Sequence, residues 1–216
     1  MMQFFGYFRS SSAYRCRIAF NLKGVRPETA FVHLRRGGGE QKLSQYRALN
    51  PQGLVPSLEV DGVVLTQSLA IIEWLDETCP EPALLPAAPL LRAQVRAVAQ
   101  AVACDIHPLQ NLRVLDYLRV ELGQDQAALD AWCRRWISEG LDACEALLVR
   151  NTLDGRFAFG DTPGLADICL VPQLFSAIRF GLDPAAWPRL DAIGKACAAL
   201  PAFADAHPAR QPDAEA

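Results

Sequence analysis

The sequence predicts an α/β domain at the N-terminus followed by an all-α domain. Three observations carry this reading. Strand-like and helix-like spacings alternate over residues 1–78. Residues 79–89 then hold Pro80, Pro82, Pro86 and Pro89, a linker composition. From residue 90 onward only helical spacing recurs. The domains are placed at 1–83 and 89–216.

The elements follow in order. Residues 3–8 are apolar and read as a strand. Residues 11–22 read as a helix, with Ile18, Ala19 and Leu22 on one side and Gly24 as its stop. Residues 29–33 read as a second strand. The glycine-rich stretch 35–40 reads as a mobile tip, and 42–49 as a short helix ended by Asn50-Pro51. Residues 57–60 and 63–66 flank Asp61-Gly62, a dipeptide suited to a two-residue hairpin turn. Residues 68–78 read as a helix with Ala70, Ile71, Trp74 and Leu75 on one face. The order β-α-β-α-β-β-α makes a small mixed sheet with helices on both faces. In the second domain, 91–122 has long helical periodicity, bent or broken at His107-Pro108. Residues 125–150, 165–180 and 188–200 are further helices, the middle one apolar nearly all round and so buried. The tail after Phe203 is expected to fray.

Composition narrows the function. With 216 residues and 51% apolar content the chain can build a sizeable core. A net charge of −3 gives no basic patch for nucleic acid. The seven cysteines contain no CxxC pair, which points to reduced thiols in a cytoplasmic protein and away from disulfides or a metal site. No signal-peptide pattern is present, and no apolar run approaches the ~18 residues that span a membrane.

Chemistry concentrates at residues 9–20. Arg9 precedes Ser10, Ser11 and Ser12, which open a helix. One hydroxyl can cap the helix while the others face outward at the positive end of its dipole, so an anion such as a thiolate is favoured there. A strand residue, Tyr7, is read as core packing first and as a thiolate donor second. Val55-Pro56 is a candidate cis bond in a turn before a strand, where the Val55 backbone could pair with an extended peptide. Gln67-Ser68 opens a helix and could take a carboxylate. His107, Gln110 and Asn111 have the spacing of one helix face. Arg9, at the end of a buried strand, and Arg179, at the end of an apolar helix, are read as guanidiniums in need of an anion. Arg15 and Arg17 are assigned to helix salt bridges or a dimer surface.

Several stretches resemble one family. Ser10-Ser11-Ser12-Ala13-Tyr14-Arg15-Cys16-Arg17-Ile18-Ala19-Phe20 resembles the zeta-class glutathione transferase signature Ser-Ser-Cys-x-Trp/His-Arg-Val-Arg-Ile-Ala-Leu. Asn50-Pro51 with Val55-Pro56, Gln67-Ser68-x-Ala70-Ile71, the stretch 105–113 and the stretch 166–173 are similar to further motifs of that class. The resemblance implies the glutathione transferase fold, a thioredoxin-like domain plus an all-helical one. It implies glutathione as cofactor, a homodimer, and cis–trans isomerisation of a maleyl keto acid, a small dicarboxylate. It places thiolate stabilisation at Ser10 or Ser11 with Arg9. It places glutathione contacts at Ser12, Val55, Pro56, Gln67, Ser68, His107, Gln110 and Asn111, and carboxylate contacts at Arg9, Arg113 and Arg179. The Leu109-Gln110-Asn111-Leu112 wording is nearer the maleylacetoacetate branch. Maleylpyruvate isomerisation, α-halo acid conjugation and a non-catalytic binding module are the alternatives. Three positions depart from the class: Ser12 stands for its cysteine, Tyr14 for Trp or His, and Gly164 for a Ser/Thr helix cap.

Overall fold

Strand β1, Met2–Gly6, pairs in parallel with β2, Glu28–Phe31, and antiparallel with β3, Ser57–Val60. Strand β4, Val63–Thr66, completes a four-stranded sheet of order β2-β1-β3-β4. The hairpin turns on Asp61 and Gly62, both at positive φ, 49° and 84°. The parallel pair requires a crossover, and α1, Ser11–Lys23, supplies it. It stops at Gly24, φ 67°, where Gly24 N–H reaches Asn21 O and Val25 N–H reaches Phe20 O. Helices α2, Ser44–Leu49, and α3, Ser68–Thr78, complete this part. The computed structural model describes residues 1–151 and 153–215.

Helix α1 is tied to α3 and to the linker by one side chain. The Lys23 ammonium donates to Asp76 Oδ1, Cys79 O and Pro82 O, each at 2.6 Å. All three protons of the group are thereby used. The stretch 35–40 forms two 3-10 turns, Arg36–Gly38 and Glu40–Lys42, and the Glu40 carboxylate accepts from His33 N–H at 2.6 Å.

The second unit runs from Leu84 to Ala199. It contains α4, Pro89–Gln100, a π-helical segment Ala101–Ile106, a 3-10 turn His107–Gln110, and α5, Leu112–Val120. The 91–122 periodicity is thus interrupted, and the break falls at Asn111, after the His107-Pro108 pair. Packing explains the irregular segment. A Cβ on Gly140 would lie 2.2 Å from Ile106 Cγ1, so the π-helical turn sits directly on the backbone of α6, Gln126–Val149. Helix α6 is capped by Asp125, whose carboxylate accepts from Ala128 N–H at 2.8 Å. Helices α7, Leu165–Arg179, and α8, Pro188–Ala198, close the unit.

Helix α7 starts at Gly164 without a side-chain cap, and Asp167 reaches back instead. Its carboxylate accepts from Gly164 N–H at 2.9 Å and Ala158 N–H at 2.8 Å. Burial pushes its pKa up to about 6 against the pull of those bonds and of Arg189. A Cβ at Gly164 would meet Leu84 O at 2.8 Å, so a serine would not fit here without movement.

The tail departs from the sequence reading. Residues from Leu200 onward group with Met1–Ala83, and not with the helical unit to which 89–216 was assigned. Helix α9, Pro201–Ala206, packs on α1, with Phe203 and Ala206 each 1% exposed. Asn21 Nδ2 donates to Ala202 O at 2.9 Å and Arg17 Nε to Ala206 O at 3.1 Å. Buried apolar contacts and backbone acceptors hold what composition alone marks as fraying. Among the described residues no helix is long and apolar enough to cross a membrane.

Candidate active site

The turn between β1 and α1 carries the serines. The chain leaves the sheet at Gly6, earlier than the 3–8 reading, and closes a turn in which Ser10 N–H donates to Tyr7 O at 3.1 Å. Ser10 is the N-cap of α1, at φ −71° and ψ 118°. Its Oγ accepts from Ala13 N–H at 3.2 Å. That bond occupies a lone pair and leaves the hydroxyl proton to donate outward. Ser11 and Ser12 follow in the first turn, both half-buried.

Arg9 stands in this turn, half-buried, with its guanidinium 5.2 Å from the Phe8 ring centre. It does not end a strand, so the expected desolvation is absent. Its side chain makes no hydrogen bond or ion pair with a described residue, and its charge helps to hold the Glu215 carboxyl below its ordinary pKa.

Arg15 and Arg17 are not surface groups. Helix α1 buries Ala13, Tyr14, Cys16, Ile18, Ala19 and Phe20, which covers nearly all its faces, so charged residues inside it need partners. Arg15 is 2% exposed and donates to Ser68 Oγ at 3.1 Å. Arg17 donates to Tyr7 O at 3.3 Å and Phe8 O at 2.8 Å, and so builds the serine turn itself. Burial pulls its pKa down to about 10, opposed by the charge of Asp213. The unbroken apolar neighbours of Arg15 and Arg17 were the available signal. Tyr7 is buried with its ring edge-on to Phe8 and His33, and its hydroxyl has no hydrogen-bond partner among the described residues.

Sheet register brings three stretches to one end. Phe5 pairs with Ser57 and Ser57 with Thr66. Residues just past Phe5, just before Ser57 and just after Thr66 therefore lie side by side, which joins the serine turn, Val55-Pro56 and Gln67-Ser68. The Val55–Pro56 bond is cis, as its position in the sequence indicates. Leu54 O receives both Tyr46 Oη at 2.8 Å and Asn50 Nδ2 at 2.7 Å, which pins the residue before Val55. The Val55 N–H and C=O have no hydrogen-bond partner among the described residues. Gln67 is exposed at φ 68°, a conformation costing a non-glycine residue about 1–3 kcal/mol and common at binding sites. Its Nε2 donates to Gln52 Oε1 at 2.9 Å. Ser68 is buried and held from below by Arg15.

The expectations for the second unit change more. His107 and Gln110 lie in a 3-10 turn and Asn111 is extended, so the three do not share an α-helical face. Gln110 Nε2 donates to Gln173 Oε1 at 2.8 Å, and Gln173 is itself buried with Nε2 unpartnered among the described residues. Asn111 caps α5, accepting from Arg113 N–H at 3.2 Å. Arg113 is exposed in the first turn of α5, and its guanidinium has no hydrogen-bond partner among the described residues. Arg179 is exposed with its guanidinium 5.5 Å from the Phe180 ring centre, so burial does not single it out.

Residues 9–78 match the model of the glutathione S-transferase N-terminal domain. The chain is 52% identical to a maleylpyruvate isomerase of a Ralstonia species, over 98% of this chain and 99% of that one. It is 50% identical to a maleylacetoacetate isomerase of Pseudomonas aeruginosa over the whole of both chains. A solved holo structure of a maleylpyruvate isomerase, a bacterial zeta-class glutathione S-transferase, superposes with a TM-score of 0.95 at 51% identity, covering 99% of this chain and 100% of that one. The chain belongs to the zeta class of the glutathione transferases, the family of maleylacetoacetate isomerase and the bacterial maleylpyruvate isomerases.

Proposed function

We propose that the chain is a glutathione-dependent cis–trans isomerase of a maleyl keto acid, with maleylacetoacetate as first substrate. The observation that carries this is the capped Ser10 hydroxyl, in the same turn as Arg9, whose guanidinium makes no hydrogen bond or ion pair with a described residue. The fit to glutathione rests on this chain's own groups. The unpaired Val55 backbone suits the cysteinyl backbone of an extended tripeptide. Gln67 and the first amides of α3 suit the γ-glutamyl carboxylate. Ser12 is assigned to glutathione in the same turn. When bound, glutathione supplies a thiolate that adds reversibly to the maleyl double bond and makes it single while it rotates.

The protein's part is to hold charge and orientation. Ser10 donates to the sulfur and favours its ionised form, aided by the positive end of α1. Ser11 is the second candidate for that role. Arg9 offsets the negative charge that develops on the conjugated carbonyl. Arg113 and Arg179 take substrate carboxylates, for which a planar guanidinium is suited. His107, Gln110 and Asn111 are assigned to glutathione, with Gln173 holding the Gln110 amide. The assembly is a homodimer in the cytoplasm.

Maleylpyruvate is the second reading, favoured by the 52% identity to the Ralstonia isomerase of that name. Purified protein is to be assayed on both acids with and without glutathione. Turnover of either, dependent on glutathione, supports the proposal, and turnover of neither overturns it. Ser10→Ala and Ser11→Ala separate the thiolate donors: the true donor loses turnover and keeps glutathione binding.

A further inference from the structure

The turn from Tyr7 to Ser10 sets where the Ser10 hydroxyl sits, and it is held from outside itself. Arg17 binds its carbonyls from α1. Its Phe8 N–H donates to Asp213 Oδ2 at 2.8 Å. The other Asp213 oxygen is enclosed and has no hydrogen-bond partner among the described residues. The Asp213 charge also reaches Arg17, where it favours the guanidinium against burial. One acid and one base from opposite ends of the chain thus grip the same few peptide units.

The acid is carried on a built hook. Gln211 Nε2 donates to Asp205 O at 2.9 Å and His207 O at 3.0 Å. Gln211 N–H reaches Pro208 O at 3.2 Å, and Ala214 N–H reaches Gln211 O at 3.0 Å, so Asp213 sits inside a closed turn. Beyond it, Glu215 bonds His33 Nε2 at 2.7 Å, while His33 Nδ1 accepts from the Arg35 and Arg36 amides. The tail spans from α9 to the loop after β2 and crosses the serine turn on the way.

We propose that Asp213 is a positioning residue for thiolate stabilisation, fixing the Tyr7–Ser10 turn and with it the Ser10 hydroxyl. This rests on the reading of Ser10 as hydrogen-bond donor to the glutathione sulfur. A hydroxyl-to-sulfur bond weakens steeply with misalignment. Removing the carboxylate leaves the Phe8 amide unpaired beside Arg17, and the turn must move to satisfy it.

The test uses full-length Asp213→Ala and Asp213→Asn. The bound glutathione thiolate is followed by its ultraviolet absorbance against pH, with kcat measured over the same range. In Asp213→Ala the bound thiol titrates about one pH unit higher, so the thiolate fraction and kcat fall about tenfold at low pH and recover at high pH. KM for glutathione changes less than about threefold, because contacts to the tripeptide are untouched. Asp213→Asn keeps an acceptor for Phe8 N–H and shows a smaller rise. An unchanged thiolate titration in Asp213→Ala overturns the proposal even if melting temperature falls, since a merely structural role would lower stability alone. Hydrogen exchange at the Phe8 amide is the independent arm and does not depend on the enzymatic reading. Faster exchange in Asp213→Ala supports the grip on the turn, and unchanged exchange overturns it. If wild-type protein binds glutathione without forming thiolate, the Ser10 reading fails while the exchange arm still judges Asp213.

Discussion

Asp167 yields a prediction whose size and sign follow from its surroundings. It is 1% exposed, and burial raises its pKa from 3.8 to about 6 despite two backbone hydrogen bonds to the charged form. The folded state therefore holds the proton more tightly than the unfolded chain. Between pH 3.8 and about 6 folding takes up a proton, so this group's contribution to stability is full at low pH and declines as pH rises. At about 1.4 kcal/mol per pH unit the loss totals about 3 kcal/mol. Asp167→Asn removes the titration. Its single side-chain oxygen serves one of the Gly164 and Ala158 amides, so the variant carries a constant penalty of about 1–3 kcal/mol. Wild type minus variant should then shrink by about 2.4 kcal/mol on going from pH 4 to pH 7, the rest of the loss lying below pH 4. Urea unfolding followed by tryptophan fluorescence measures it, since Trp132, Trp136 and Trp187 lie in the same unit as Asp167. The paired difference cancels every other titrating group. A difference that stays flat, or widens with pH, would refute the claim that burial outweighs the hydrogen bonds.

Three further outcomes are expected. Lys23→Met should cost about 3–5 kcal/mol in urea unfolding, because it takes the cation from Asp76 and from two carbonyls around a fully buried ammonium position, and Lys23→Met/Asp76→Leu should recover part of it. Gly140→Ala should cost about 1–3 kcal/mol by driving a methyl into Ile106, with Ile106→Ala as a partial suppressor in the double variant; equal melting temperatures for Gly140→Ala and wild type would remove that packing argument. A chromogenic thiol reagent should label exposed Cys104 fastest in native protein. Cys133 and Cys144, pushed up to about 11 and about 12 by burial, and Cys197, pushed up further, should react only after unfolding; rapid release of more than two thiols from native protein would contradict the buried assignments.

Local chemistry was readable wherever one residue decides the backbone. Gly24 ends α1 and Asp61-Gly62 turns the hairpin because few other residues accept those angles. An apolar run located β1, and the Asp61-Gly62 turn located β3 and β4 on either side of it. What could not be read came from tertiary contacts. The π-helical turn at Ala101–Ile106 ends in Ile106, which lies against Gly140, a residue far along the chain. Arg15 and Arg17 look like helix surface until the helix is known to be enclosed. Arg179 looks buried by its neighbours in sequence, yet its own position at the end of α7 is exposed. In the candidate site, the serines and Val55-Pro56 were legible from turn and cap chemistry. The positive φ of Gln67 and the bond from Phe8 N–H to Asp213 were not, and the latter joins residues at opposite ends of the sequence.

Because the last residues belong to the first unit, synthesis order and folding order part company. A ribosome completes Leu84–Ala199 before it supplies α9. Until then α1 waits with Arg17 and Asn21 lacking the Ala206 and Ala202 carbonyls that receive them. The unit whose synthesis begins first is thus completed after the other, and a truncation before Pro201 is a lesion of the N-terminal unit.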